Sequence, residues 1–184
     1  LSSIGINYRN LGNYEKALKY YNQSYKIEKT LGNQVNMAIV LGVIGNHYLN
    51  VGKYDKSLDY NYRSLKLLKQ INHFRWITYA QNNLGETLID MKEYQNAINH
   101  LNKAYNMRKK LNLPSGHILI SATLLALAKK YLQDDYNNSE IKLLIRRAEY
   151  ITHDLNYRLY LLIENTFYLE TAYNQNQEKA DNLE

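Results

Sequence analysis

The sequence predicts an all-α fold, an α-solenoid in which about 4.5 antiparallel helix pairs stack in chain order. The segment LGNYEKAL at residues 11–18 returns as VGKYDKSL at 51–58 and as MKEYQNAI at 91–98, each copy forty residues after the last. A fixed period of this length indicates stacked helical hairpins. Apolar residues around the copies keep helical spacing, and no window alternates polar and apolar residues, so no sheet is predicted.

Small residues recur at the same period and explain how the helices pair. Helices that cross closely require small side chains at the crossing, and the residues in that position are Gly5, Gly45, Gly85 and Ala128. A second small site on the following helix is predicted at Ser24, Ser64, Ala104 and Ala148. The turns between them carry Gly12 or Gly52, and glycine suits the left-handed conformation that ends a helix.

The repeats divide residues 1–184 into a single array without a linker. We expect units at residues 1–31, 34–71, 74–111 and 117–154, and a partial fifth at 157–184. The connection before the fourth unit contains Pro114 and Gly116 and is about three residues longer than the earlier ones, as surface loops tolerate. Because the sequence starts without a methionine and stops within a predicted helix, we expect it to be part of a longer protein.

Composition excludes several classes of protein. The chain has 45% hydrophobic residues, and no apolar run approaches the ~20 residues that cross a bilayer, so no membrane contact is expected from this segment. It has no cysteine, which excludes disulfides and thiolate chemistry but leaves a cytoplasmic or periplasmic location equally open. The net charge of +6 is dispersed along the sequence, which is typical of a solvated surface rather than a polyanion site.

No motif for catalysis or metal binding is present. The five histidines are never three or four residues apart on one helix, so no pair can clamp a metal ion. A Gly-rich phosphate loop and a nucleophile elbow are missing as well. Glu86 and Asp90 lie one helical turn apart, but nothing in the sequence supplies a nucleophile or a third ligand beside them. The sequence therefore predicts a noncatalytic protein with no cofactor and no metal.

The repeated positions resemble those of the tetratricopeptide repeat (TPR) family. In the clearest unit the matching residues are Ile44, Gly45, Tyr48, Gly52, Tyr54, Ser57 and Ser64. The resemblance covers residues 1–174 and is similar to the longer repeats of kinesin light chains and of many bacterial signalling proteins. It implies a right-handed superhelix whose first helices line a concave groove that binds proteins or peptides.

Polar residues on the first helices are the candidate site. A carboxamide offers both a donor and an acceptor, which matches the backbone of an extended peptide. Counted from the repeated small residue, the positions predicted to face a ligand, or to lie beside that line, are Asn46, Asn50, Tyr79, Asn82, Asn83, Glu86, Asp90, Lys129 and Gln133. Ala122 and Leu125 share the predicted face in the fourth unit. The asparagines also fit a simpler explanation, a composition rich in this residue.

Asn46 and Asn83 match the asparagines with which some members of the family clamp a peptide carboxylate. The basic residues of that clamp are missing, since Gly42, Ala122 and Ala126 occupy their positions. We therefore expect a protein or peptide ligand that is not held by its carboxyl terminus.

Three roles remain open from the sequence. The first is a noncatalytic interaction scaffold, the sensory or adaptor region of a larger bacterial signalling or regulatory protein. The second is a cytosolic receptor for signalling peptides within a transcriptional regulator. A nucleic-acid-binding helical repeat is a third, suggested by the basic charge and by nineteen tyrosines but not favoured by the dispersed charge.

Overall fold

The computed structural model describes residues 1–181, and within that range the protein is built from α-helices alone, as predicted. Most helices pack antiparallel to the next helix of the same compact unit. The ten helices of the described range are α1 (Ser2–Asn10), α2 (Tyr14–Thr30), α3 (Gln34–Asn50), α4 (Tyr54–Gln70), α5 (Phe74–Asp90), α6 (Tyr94–Lys110), α7 (Ser115–Tyr131), α8 (Asn138–Arg147), α9 (His153–Ile163) and α10 (Thr166–Asp181).

The turns confirm the expected role of glycine in ending the helices. Gly12 and Gly52 have φ angles of 72° and 70°. After α3, the N–H of Gly52 donates to the carbonyl of Leu49, and the N–H of Lys53 donates to the carbonyl of Tyr48, both at 2.9 Å. A left-handed residue therefore satisfies the last carbonyls of the helix. Further turns use other residues in the same conformation, namely Asn72, Lys92, Asn112, Gln133 and Glu164.

The chain forms two compact units, Leu1–Met91 and a second that begins at Lys92. In the first unit each of α1 to α4 packs against the next helix, and α3 also packs against α5. The close crossings predicted at Gly5 and Gly45 are present. A methyl group added at Gly5 would lie 2.5 Å from the Tyr21 ring, and one added at Gly45 would lie 2.6 Å from the Asn61 amide nitrogen.

In the second unit, α7 is the central helix and contacts α6, α8 and α9, while α9 packs against α10. The core contains the fully buried side chains of Leu119, Leu127 and Leu159. Arg108 is also buried, with 1% of its surface exposed, and its guanidinium donates to the carbonyl of His117. This bond ties the end of α6 to the start of α7 across the longer connection.

The fourth pair differs from the sequence prediction. α8 ends at Arg147, so Ala148 lies outside the helix with extended backbone (ψ 124°), and α9 begins at His153, four residues before the predicted fifth unit. The carbonyl of Ile151 accepts hydrogen bonds from the Asn156 and Gln175 side chains instead of from a helix N–H. These side-chain hydrogen bonds therefore stabilise the non-helical segment between α8 and α9. The predicted continuation at 182–184 lies outside the described residues.

Candidate functional site

The predicted site residues of the first unit lie on α3 and α5, which pack against each other. Asn46 is half-buried, and Asn50, the last residue of α3, is exposed. Within the described range, neither side chain has a hydrogen-bond partner in the chain. Because solvated amides exchange water bonds for ligand bonds at little net cost, both groups suit a ligand that supplies backbone N–H and C=O groups.

On α5 the predicted residues differ in exposure. Tyr79 is half-buried and packs against Trp76 with the ring centroids 4.9 Å apart. Glu86 and Asp90 are half-buried, one helical turn apart. Asn82 is only 4% exposed and is engaged within the protein. Three of these four residues therefore present accessible polar or aromatic atoms, while Asn82 serves the packing of α5.

The charge of this α3–α5 surface is low and acidic. The sequence of α3 contains no lysine, arginine, aspartate or glutamate. Its one titratable side chain in the pH range near neutrality is His47, whose pKa burial holds below the ordinary histidine value, so it is neutral at pH 7. α5 carries Arg75, Glu86 and Asp90, so the two helices together have one net negative charge, and the charges within the predicted site are the two carboxylates, which suits a neutral or basic ligand.

Asn83 has a structural contact that the sequence did not indicate. Its side-chain Nδ2 donates to Oδ1 of Asn61 on α4 at 3.4 Å. Its backbone carbonyl accepts a hydrogen bond from the Thr87 hydroxyl at 2.8 Å. The side chain is half-buried between the two helices. The side-chain amide of Asn83 therefore helps to hold α5 against α4.

Asn61 is the centre of a buried polar cluster that sequence reasoning missed. Its side chain is fully buried, and its Nδ2 lies 3.0 Å from the Ser57 carbonyl oxygen. The hydroxyls of Ser57 and Thr87 are 2.9 Å apart and both residues are fully buried. Together with Asn83, these side chains form a hydrogen-bonded network between α4 and α5. Such a network favours one arrangement of the helices because a shifted register would leave its groups unpaired.

A signal for this cluster is present in the repeat itself. Residues forty positions before and after Asn61 are Tyr21 and Leu101, and both are completely buried. A polar residue at a position where neighbouring copies hold large apolar side chains indicates a specific polar partner in the core. Comparison of the copies for polarity as well as size would have identified it.

The two predicted site residues of the second unit, Lys129 and Gln133, lie at the end of α7. The Lys129 ammonium donates to the carbonyl of Asp135 at 3.0 Å and lies 3.6 Å from the Asp134 carboxylate. Gln133 is exposed and left-handed (φ 57°) in the turn that ends the helix. Lys129 thus stabilises the turn from α7 to α8, and Gln133 is part of that turn.

No group of three or more histidine, aspartate or glutamate side chains within residues 1–181 is arranged to hold a metal ion. Among the helices described, none is both long enough and apolar enough to cross a membrane.

Helix pairs of this kind, with small residues at each crossing and left-handed turns, define a tetratricopeptide repeat protein. Residues 1–70 and 78–111 match models of the tetratricopeptide repeat, together more than half of the 184 residues. The chain belongs to the tetratricopeptide repeat family. Repeats of this family generally act as protein-interaction scaffolds and are typically noncatalytic.

Solved structures show the same fold. BtubC (BKLC) from P. vanneervenii superposes with a TM-score of 0.69 at 14% identity, over 96% of this chain and 74% of that chain. A Podosopora anserina protein described as a putative kinesin light chain with nearly identical TPR-like repeats gives 0.62 at 15% identity, over 97% and 92% of the chains. A second structure described in the same words, of a variant with one substitution, gives 0.66 at 15% identity, over 99% and 90%. Comparison with curated proteins gives no match.

Proposed function

We propose that this chain is a noncatalytic scaffold that binds an extended peptide, or an extended segment of a partner protein, along the α3–α5 surface. The observation that carries the proposal is the pair Asn46 and Asn50, whose amides have no hydrogen-bond partner within the described residues. They lie one turn apart, so both point to the same side of α3. An extended peptide backbone offers alternating donors and acceptors, which such a pair can satisfy.

The remaining groups on this surface set a preference among ligands. The Tyr79 ring offers an apolar contact, and the carboxylates of Glu86 and Asp90 disfavour an acidic segment. The ligand we propose is therefore neutral or basic. Each rim charge contributes little by itself, so backbone hydrogen bonds and apolar contact supply most of the affinity.

The finer role we propose is that of a sensory or adaptor region in a larger signalling or regulatory protein. The support is the repeat array itself, combined with a sequence that contains no catalytic motif. The full reading frame of the gene tests this role: an adjoining signalling or DNA-binding domain would support it, and an adjoining catalytic domain of unrelated purpose would contradict it.

A peptide selection tests the binding function. Randomised peptides displayed on phage are selected on the purified chain, and the recovered sequences are then synthesised and titrated by calorimetry. Asn46→Ala and Asn50→Ala are each expected to weaken binding by about three- to tenfold, the loss of one net hydrogen bond. Asn22→Ala is the matched control, because Asn22 is an exposed asparagine on α2. Selection that recovers nothing, or peptides that bind equally well to all three variants, would contradict the proposal.

Nucleic acid is the alternative outcome of the same experiment. An oligonucleotide bound through phosphates loses affinity steeply as salt rises, because neutralising phosphates releases counterions. Titrating a single-stranded oligonucleotide at two salt concentrations distinguishes the two ligands. Salt-sensitive binding that persists in Asn46→Ala would favour the helical-repeat nucleic-acid binder over a peptide scaffold.

A further inference from the structure

A cavity of about 330 Å³ lies wholly within the second unit, between α6, α7 and α8. Its walls are largely apolar and include Ala122, Leu125 and Ala126 of α7 and Ile141 of α8. The rings of Tyr105 and Tyr136 also line it, and the remaining lining residues are polar or charged: Asn102, Lys129, Asp135, Asn137 and Glu140. This volume falls in the range of pockets that hold small ligands or large side chains.

Several of the polar groups around the cavity, those of Glu140, Lys129 and Asn137, are already engaged by the protein. The Glu140 carboxylate accepts hydrogen bonds from the Tyr105 hydroxyl and from the Lys109 ammonium, the latter at 3.1 Å. The Lys129 ammonium donates to the Asp135 carbonyl. A polar ligand group placed among these pairs would have to displace one of them, which costs the full desolvation of the group left behind. The occupant that fits at least cost is therefore apolar.

The charged residues of the cavity indicate which ligand group would suit the space beside the apolar one. Two carboxylates line the cavity, those of Asp135 and Glu140, against one ammonium group, that of Lys129. The surroundings thus carry one net negative charge, although the chain as a whole carries +6. A basic group beside the apolar one is favoured here, and an acidic group is disfavoured.

We infer that this cavity is an anchor site for one bulky apolar side chain of a peptide, with a basic residue next to it in the ligand sequence. The inference rests on the proposed function that the chain binds peptides. A buried apolar anchor with a charged rim is the usual way in which a small contact supplies much of an affinity. The site belongs to the second unit, whereas the backbone contacts proposed for α3 and α5 belong to the first.

Capped dipeptides are suitable probes because they test side-chain recognition without a known ligand. The probes are Ac-Phe-Lys-NH₂, Ac-Phe-Glu-NH₂ and Ac-Ala-Lys-NH₂, titrated into the isotope-labelled chain and followed by NMR. We expect saturable shifts at Leu125 and Ile141 with Ac-Phe-Lys-NH₂. Replacing phenylalanine by alanine should weaken binding about tenfold or more. Replacing lysine by glutamate should weaken it about two- to fivefold, with less difference at high salt.

A substitution that fills the cavity is the decisive test of the anchor site. Ala122→Leu places a large side chain inside the pocket and should abolish the shifts, whereas Ser139→Leu, at an exposed position of α8 outside the lining, should not. Leu125→Asn provides a second variant with a polar wall, should Ala122→Leu fail to fold. Thermal unfolding and the amide spectrum report on folding in each case.

The outcomes separate this inference from the proposed function. Shifts that persist in Ala122→Leu and Leu125→Asn, or that never saturate with the phenylalanine probes, would overturn the anchor site. Selected peptides that lose affinity with Asn46→Ala test the proposed function alone, because Asn46 belongs to the first unit. Probe binding that Ala122→Leu abolishes supports the anchor site, even where no longer peptide is recovered by selection.

Discussion

Gly45 of α3 lies directly against the side chain of Asn61 of α4, so close that a methyl group at Gly45 would fall 2.6 Å from the Asn61 Nδ2. The amide cannot turn away freely, because it is fully buried and bonded to the Ser57 carbonyl. This contact explains in physical terms why a small residue is needed where α3 crosses α4.

Gly45→Ala should destabilise the protein by about 1–3 kcal/mol, the usual cost of overpacking a tight contact. Gly42 is the matched control on the same helix, because a methyl group there would meet the Ser64 hydroxyl at an ordinary 3.5 Å. Gly42→Ala should instead stabilise by about 0.5–1 kcal/mol, since alanine is the better helix former. Urea unfolding followed by circular dichroism measures both, and equal effects would contradict the register assigned to this crossing.

The clash can be isolated with a double-mutant cycle. In an Asn61→Ala background, the methyl group of Gly45→Ala enters space that the amide has left. The two substitutions should therefore be non-additive, with a favourable coupling of about 0.5–3 kcal/mol. Additive losses would show that the Gly45 position is limited by something other than Asn61.

Lys92→Gly should stabilise the protein by about 1 kcal/mol, because Lys92 holds a left-handed φ of 63° that glycine adopts without strain. Lys103→Gly provides the comparison. Lys103 is exposed within α6, where the same change should cost about 1 kcal/mol. Thermal unfolding midpoints should move in opposite directions, and a loss from both variants would contradict the role assigned to the turn.

Stability should fall as the pH drops below about 6.5, the ordinary pKa of histidine. His47 is 3% exposed, and burial, followed by the nearby cations Arg9 and Lys53, lowers its pKa in the folded protein. The unfolded chain therefore takes up the proton first. The contribution of neutral His47 to stability is fully present above the pKa of histidine in the unfolded chain. It is lost as the pH falls through the lower pKa of His47 in the folded protein.

His47→Gln removes this group, so the stability of the variant should depend less on pH between 7 and 5 than that of the parent. Urea unfolding at several pH values gives the slope. The rings of Tyr14, Tyr21 and Tyr48 face the imidazole and supply no negative charge at these pH values. An unchanged slope in the variant would assign the pH dependence to other groups.

Two tyrosine hydroxyls should respond in opposite ways to removal. The buried Tyr21 hydroxyl has no hydrogen-bond partner within residues 1–181, so Tyr21→Phe should stabilise by about 1 kcal/mol. The Tyr105 hydroxyl donates to Glu140, so Tyr105→Phe should destabilise by about 1–2 kcal/mol. Chemical unfolding of the two variants makes the comparison, and a loss from Tyr21→Phe would reveal an ordered water on that hydroxyl.

The predicted peptide site could be assigned only by helical position. Asn46 and Asn50 remain candidates because their amides are accessible, and spacing from Gly45 was enough to place them on one side of α3. Asn82 and Asn83 occupy equally plausible positions in the sequence, yet the first is buried and the second donates to Asn61. Spacing gives the face of a helix, but the depth of a side chain depends on its neighbour.

The sequence by itself determined the repeat, the helices and the turns, because these depend on local backbone preference and on apolar spacing within about twenty residues. Gly52, for example, predicts a left-handed turn from local backbone preference alone, without any knowledge of how the helices pack. Tertiary structure alone decided the early end of α8, where side chains of α9 and α10 bond to the Ile151 carbonyl. It also decided the buried network around Asn61, because a hydrogen bond between residues 22 positions apart exists only once both helices are packed.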